Sequence, residues 1–411
     1  MKIAVYYSLP PGGAKRSLHD QVRGLLQLGH EVGVWHPPQG DDAEPRIGAL
    51  VPTRIVPVDD EAPPWWSNGR AGGLRSPRAA IKRALEHARA VAQAMNSDQP
   101  DVHLVATDQV FGSPPVGRFL TRPSVLYLQE PHRWLYEANP EFPWLAAPPD
   151  APLLRKLLDL VRIARRSARA RFEVDNAAAF RMLLVNSRFS CETVSRVYGL
   201  ASSVCYLGVD TDVFRRTGAE REHMVAGVGN LMRQKHARAL VEAAAQVQGP
   251  PPRVEWVAAS VDEAYEREVR QIAASSGIEL VLHRGASDER LVDVLNRARA
   301  VVYTPRLEPF GLVPLEANAC GTPVIGIAEG GVRETVLHEI NGLLVDDLEE
   351  DLSRAIARLL KDPDLAARLG DEGERVVHER WTLTEANARL AAHLRAAADG
   401  STKPQPRTWG E

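Results

Sequence analysis

The sequence lacks the features that mark several whole classes of protein. Its three cysteines, Cys191, Cys205 and Cys320, are scattered through 411 residues. They follow no metal or redox spacing, which argues against a disulfide framework and suits a reducing compartment. The net charge is only −3, so no global field of one sign marks a nucleic-acid binder. No 18 consecutive residues are apolar, so no transmembrane helix is expected. The start, MKIAVYYSLPPGG, has one lysine and a short apolar run broken by Pro10 and Pro11, a poor signal peptide. No His/Cys/Asp cluster has ligand spacing, so no essential protein-bound metal is expected. What remains is ordinary for a folded chain, 44% hydrophobic and 25% charged, and long enough for two domains with separate cores.

Apolar runs and helical periodicities alternate along the chain. KIAVYY (2–7) reads as a strand. After Gly12 and Gly13, the residues Leu18, Val22, Leu25 and Leu26 fall at helical spacing, ended by Gly29. EVGVWHP (31–37) is the next strand, completing a β-loop-α-β unit of a parallel sheet. Residues 38–80 and 137–150 read as Pro-rich loop. Helix is predicted over 79–95, strands over 102–107 and 124–129, and an amphipathic helix over 153–171. A strand (181–187), a helix ended by Gly199 and a strand (202–210) complete the first series. A second series runs through strands at 223–230, 254–258, 279–283, 300–304, 323–327 and 342–346. Its helices are predicted at 237–247, 287–298, 332–339, 349–360, 363–378 and 383–398. This pattern predicts two doubly wound α/β halves meeting near 206–222, with ligands beyond the C-terminal strand ends. The space between the halves is the default site.

The stretch PRLEPFGLVPLEANACGTPVIG (305–326) holds two glutamates, Glu308 and Glu316, eight positions apart. Its prolines forbid one continuous helix. The spacing predicts a loop over 305–313, Pro314 in a first helical turn, and a short helix over 315–320 stopped by Gly321. Glu308 then sits in the loop and Glu316 in the first turn. The backbone amides of Phe310, Gly311, Leu312 and Val313 lie at a helix N-terminus, which attracts anions such as a diphosphate. Two carboxylates flanking that cradle suit the hydroxyls of a sugar nucleotide, with Glu316 at the ribose and Glu308 at the sugar. Spacing alone fits equally well a dipole-complementing Glu316 and a solvated Glu308.

LEPFGLVPLEANACGTPVIGIAEGGVRETV closely resembles the hallmark of the retaining GT-B glycosyltransferases of family 4. Further segments match in order: PPGGAKRSLHDQVRGLLQLGHEV, VNSRFSCETVSRVYG, VCYLGVDTDVF, VGNLMRQKHARALVEA, GASDERLVDVLNRARAVVYTP and NGLLVDD. The resemblance covers residues 1–37 and 180–395. It implies two Rossmann-like domains facing a central cleft: 1–205 on the acceptor side and 206–385 on the nucleotide-sugar donor side. A helix at 386–400 would pack back on the first domain, ahead of a disordered tail (401–411). The implied activity is transfer of a hexose-type sugar from a UDP- or GDP-sugar to a glycan, lipid-linked or small-molecule acceptor, with retained configuration and no required cofactor. A GT-B phosphorylase, a sugar-phosphate synthase and a donor-binding protein without turnover are the alternatives.

By the resemblance, Gly12 and Gly13 form the glycine loop after the first strand, and Lys235 neutralises the donor diphosphate. Asn230 stands where the family usually has an arginine, and Arg233 could restore that charge. Gln129 stands where many relatives carry a histidine near the reacting centre, with His132 three residues later. Either could act there. Asp210 and Asp212 resemble a metal-binding Asp-x-Asp, but their place implies a structural role. The helix over 153–171 carries seven Lys/Arg and one acidic residue. It reads either as a solvated face or, with Trp65, Trp66 and Trp144, as a peripheral contact with anionic lipid. The expected location is the cytoplasm, with peripheral membrane contact as an option.

Overall fold

The computed structural model describes residues 1–9, 12–37, 45–56, 77–108, 111–136, 152 and 166–401. These form two compact units, Met1–Cys205 with Asn387–Glu411, and Tyr206–Ala386. The basic segment over 153–165 and the tryptophans Trp65, Trp66 and Trp144 lie outside the described residues, as does the tail from 402 on.

In the first unit the strands are β1 (Lys2–Ser8), β2 (Glu31–His36), β3 (Thr53–Ile55), β4 (Val102–Asp108), β5 (Ser124–Leu128), β6 (Met182–Val185) and β7 (Ser203–Val204). They pair in the order β3-β2-β1-β4-β5-β6-β7, and every pairing is parallel. Strands of such a sheet are covered on both faces, so they read as continuous apolar runs. The five central residues of β1 are all buried. The helices are α1 (Gly13–Gln27), α2 (Pro77–Ser97), α3 (Arg133–Tyr136), α4 (described over 166–177) and α5 (Arg188–Tyr198). Leu18, Val22 and Leu25 bury one face of α1. Ser187 caps α5 by accepting from the Ser190 amide at 2.9 Å, and Gly199 ends it in the left-handed conformation. Strand β3 was not expected, because its three residues sit in a stretch dominated by loop formers. Strand β7 is shorter than the run 202–210 predicts.

The second unit holds β8 (Met224–Val228), β9 (Arg253–Ala258), β10 (Leu280–Arg284), β11 (Ala300–Tyr303), β12 (Val324–Ile327) and β13 (Gly342–Val345). Their order is β10-β9-β8-β11-β12-β13, again all parallel. The helices are α6 (Ala237–Ala245), α7 (Glu263–Ser275), α8 (Asp288–Arg297), α9 (Leu312–Ala319), α10 (Val332–Thr335), α11 (Glu350–Lys361) and α12 (Pro363–Arg380). Helix α7 was missed by the sequence reading. Asp262 caps it, accepting from Ala264 and Tyr265, and Tyr265, Val269 and Ala273 give it a buried stripe. Helix α10 stops four residues short of expectation. The Asn341 side chain takes the Leu337 amide at 2.6 Å in place of a helical carbonyl. The last helix, α13 (Leu383–Ala398), belongs from Asn387 onward to the first unit. There Leu390, Ala391, Leu394 and Ala397 are buried.

One partly buried cation fixes α9 from behind. Arg221 donates to the carbonyls of Cys320 and Gly321 at the end of α9, both at 2.8 Å, and to Leu295 and Ala298 at the end of α8. A guanidinium suits these carbonyls because they carry the negative end of each helix dipole. Burial lowers its pKa to about 10, so it stays charged at neutral pH.

Candidate active site

In each sheet the connections leave in opposite directions at one point, between β1 and β4 in the first unit and between β8 and β11 in the second. Such switch points open a crevice at the C-terminal strand ends. In the second unit the two loops that leave it carry Lys235 and Glu308. Lys235 lies in a 3-10 turn, Arg233–Lys235, after β8. Glu308 lies in the loop after β11. The Thr304 hydroxyl donates to the Lys235 carbonyl at 2.6 Å and ties one loop to the other. The side chains meet, with Lys235 Nζ 2.9 Å from Glu308 Oε2, and are 30% and 22% exposed. At that exposure the pair contributes at most about 1 kcal/mol. It is therefore soft enough to open for a ligand.

The Glu308 loop itself is held hard. Leu307 has φ +50, a left-handed conformation that is costly for a non-glycine residue. The Glu308 carbonyl accepts from the Gly331 amide at 2.8 Å. Arg306 Nε donates to Glu329 Oε2 at 2.8 Å and closes the loop from outside. Gly330 has φ +60, and a Cβ there would collide with the Glu308 carbonyl oxygen and stand 2.9 Å from its nitrogen. Gly330→Ala is therefore expected to displace Glu308. A destabilisation of about 1–3 kcal/mol should appear as a lower thermal midpoint, accompanied by weaker substrate turnover.

Helix α9 begins at Leu312, three residues earlier than the sequence reading placed it. Pro314 still lies in the first turn, where its missing N–H leaves no bond unmade. Glu316 consequently falls in the second turn, not the first, and is 6% exposed. Burial, with the Glu316 charge beside it, pushes the Cys320 thiol up to about 12. The N-cap is Gly311 with φ +95, and no side chain caps the helix among the described residues. The amides of its first turn are thus available to an external acceptor. The Phe310 side chain is 2% exposed and packs against Trp381, ring centroids 5.6 Å apart. It anchors the loop, so only its backbone can serve a ligand.

Asn230 and Arg233 are committed elsewhere. The Asn230 side chain accepts from the Ser260 amide. Arg233 pairs with Glu268 at 2.5 Å and lies over the Tyr265 ring. The arginine thus faces α7 in this structure. The Asp212 amide donates to Asp210 Oδ1, a local turn. No group of three His, Cys, Asp or Glu residues is disposed to hold a metal among the described residues.

In the first unit, Gly12 caps α1 and Gly13 opens it. A Cβ at either would meet nothing within 4 Å. Gln129 and His132 both follow β5. Gln129 accepts from Asn186 Nδ2 at 2.9 Å. His132 Nδ1 lies 3.3 Å from Glu173 Oε1. Glu173, a residue the sequence reading missed, is fully buried on α4. It also takes Arg169 Nε at 3.3 Å and the Tyr198 hydroxyl at 3.3 Å. Its only sequence signal is the Arg169–Glu173 spacing of four on a helix. Arg169 is itself buried, so its charge points to Glu173 rather than to a lipid surface, against the membrane reading of that position. No helix among the described residues is long and apolar enough to cross a membrane.

A model of the family described as glycosyl transferases group 1 matches residues 210–376. The chain is 30% identical over 294 residues to a D-inositol 3-phosphate glycosyltransferase of Xylanimonas cellulosilytica, covering 63% of this chain and 69% of that one. It is 26% identical over 227 residues to Alpha-1,3/1,6-mannosyltransferase ALG2 of Homo sapiens, covering 49% and 55%. The match thus spans little more than half of the human protein. Among solved structures, Anabaena Alr3699/HepE in complex with UDP superposes with a TM-score of 0.71 at 18% identity, covering 96% of this chain and 100% of that one. That likeness shows the fold, two Rossmann-like units of GT-B type.

Proposed function

The chain belongs to the glycosyl transferases group 1 family, and from that premise we propose that it is a retaining glycosyltransferase. It takes a hexose-type sugar from a UDP- or GDP-sugar and passes it to a hydroxyl of a glycan, lipid-linked or small-molecule acceptor. One observation carries this reading. A lysine and a glutamate meet at the switch point of the second unit, and the glutamate's loop ends at the start of α9, which no side chain caps among the described residues.

In the proposed complex the α9 amides and Lys235 hold the diphosphate. Glu308 accepts from sugar hydroxyls and Glu316 from the ribose. The acceptor oxygen bonds to the anomeric carbon on the face from which the diphosphate departs. The anomeric C–O bond to phosphate breaks, and its electron pair stays with the diphosphate. The acceptor proton passes to a phosphate oxygen. Lys235 and the helix end stabilise the charge that develops on the leaving group. Glu308 positions and does not attack, so the two-carboxylate chemistry of hydrolases is not invoked. Gly12, Gly13, Gln129 and His132 then serve the acceptor side. The relatives, a mannosyltransferase and a glycosyltransferase, support the reaction class. The UDP bound in the Anabaena structure is consistent with a nucleotide donor.

The test is a thermal-shift screen over UDP, GDP and their hexose conjugates, followed by anomer analysis of the product. One nucleotide series should raise the midpoint; at 100 times its Kd the native state gains about 2.7 kcal/mol. The product should keep the donor's anomeric configuration. Inversion would remove the retaining assignment, and no shift with any nucleotide would remove the function.

A further inference from the structure

We infer that Glu308 makes this site discriminate the nucleotide sugar from the nucleoside diphosphate left after transfer. The inference rests on the donor-site reading above and deepens it. Lys235 presents one ammonium, which lies 2.9 Å from Glu308 Oε2. Both backbones are pinned. The Lys235 carbonyl takes the Thr304 hydroxyl and its amide donates to Met232. The Glu308 carbonyl takes the Gly331 amide. Only the side-chain ends are free to respond, and the four-carbon lysine stem is the flexible one.

A diphosphate at the start of α9 draws Lys235 away. Glu308, only 22% exposed, then loses its cation while two like charges arrive. Arg306, its neighbour in sequence, is paired with Glu329, and Arg233 with Glu268. Neither is placed to take over. A carboxylate left without its partner carries a desolvation cost. When a sugar is attached, its hydroxyls donate to Glu308 and offset that cost. When the sugar has been transferred, nothing does. The exchange therefore favours the donor over the spent nucleotide and promotes product release.

Calorimetric titration of UDP, GDP and their hexose conjugates into wild type, Glu308→Gln, Glu308→Ala and Lys235→Ala tests this. The pair is worth about five-fold in affinity at this exposure. Both Glu308 variants should therefore bind the plain diphosphate about five-fold tighter than wild type, and the ratio of donor to diphosphate affinity should fall by more than that. Lys235→Ala should weaken both ligands. Diphosphate affinity unchanged or lowered in both folded Glu308 variants overturns the inference and leaves the donor site standing. Wild type that binds no nucleotide removes the site reading itself, and the inference with it.

Discussion

Lys235→Ala is expected to lower kcat/KM for the nucleotide sugar by about 100-fold while leaving the fold intact. A charge-assisted hydrogen bond contributes about 1.5–3 kcal/mol, and a phosphate contact that strengthens as the leaving group gains charge falls at the upper end. The substitution also strips Glu308 of its ion-pair partner, which adds like-charge repulsion toward a diphosphate. Stability should hardly change, because the pair is partly exposed and the turn is fixed by backbone and Thr304 contacts. Steady-state kinetics beside a melting curve checks both halves. A fall below five-fold in kcat/KM at an unchanged midpoint would take Lys235 out of the diphosphate site.

Glu173→Ala should have the opposite signature, a large loss of stability. The carboxylate is fully buried and receives Arg169, Tyr198 and His132. Its removal takes a carboxylate away from the Arg169 guanidinium, whose side chain is 7% exposed, in low-dielectric surroundings. Breaking a buried pair in this way costs about 3–5 kcal/mol. The space left behind adds a cavity term. Glu173→Gln keeps the shape, and its amide oxygen can still accept from Arg169 and His132 while its NH2 donates to the Tyr198 hydroxyl, so it should lose less. Chemical denaturation of both variants decides the matter. Equal stability of Glu173→Ala and wild type would show that the cluster is not held by this carboxylate.

How much of this was legible in the sequence depends on the range of the forces involved. Strands such as β1 and β8 are continuous apolar runs, and their helices carry period-3.6 stripes, so local pattern reveals them. Gly199 and Gly321 announce helix ends because few other residues adopt the left-handed conformation. The α9 start was displaced by three residues because the helix begins at Leu312, straight after Gly311, and Pro314 fits a first turn in either register. Helix α10 was overextended because the Asn341 side chain that ends it lies beyond the helix. Strand β3 owes its existence to pairing with β2, a contact no window of sequence contains.

The site divides in the same way. Lys235 and Glu308 were each legible through motif resemblance, but their contact was not, since they are 73 residues apart. Arg233 looked like a replacement charge in the sequence because it lies near Lys235 there. In the fold its guanidinium turns toward Glu268 and Tyr265 on α7, the helix that the sequence reading missed. Glu173 was barely legible, because apart from the i,i+4 spacing to Arg169 its importance comes from burial and from His132 and Tyr198 on other elements.

The most direct measurement is a crystal structure with the nucleotide that most raises the melting midpoint. The account predicts diphosphate oxygens about 3 Å from Lys235 Nζ and from the amides at Leu312 and Val313. Glu308 should be released from Lys235, and the ribose should lie at Glu316. A nucleotide bound elsewhere in the molecule, with Lys235 still on Glu308 and the start of α9 unvisited, would contradict it.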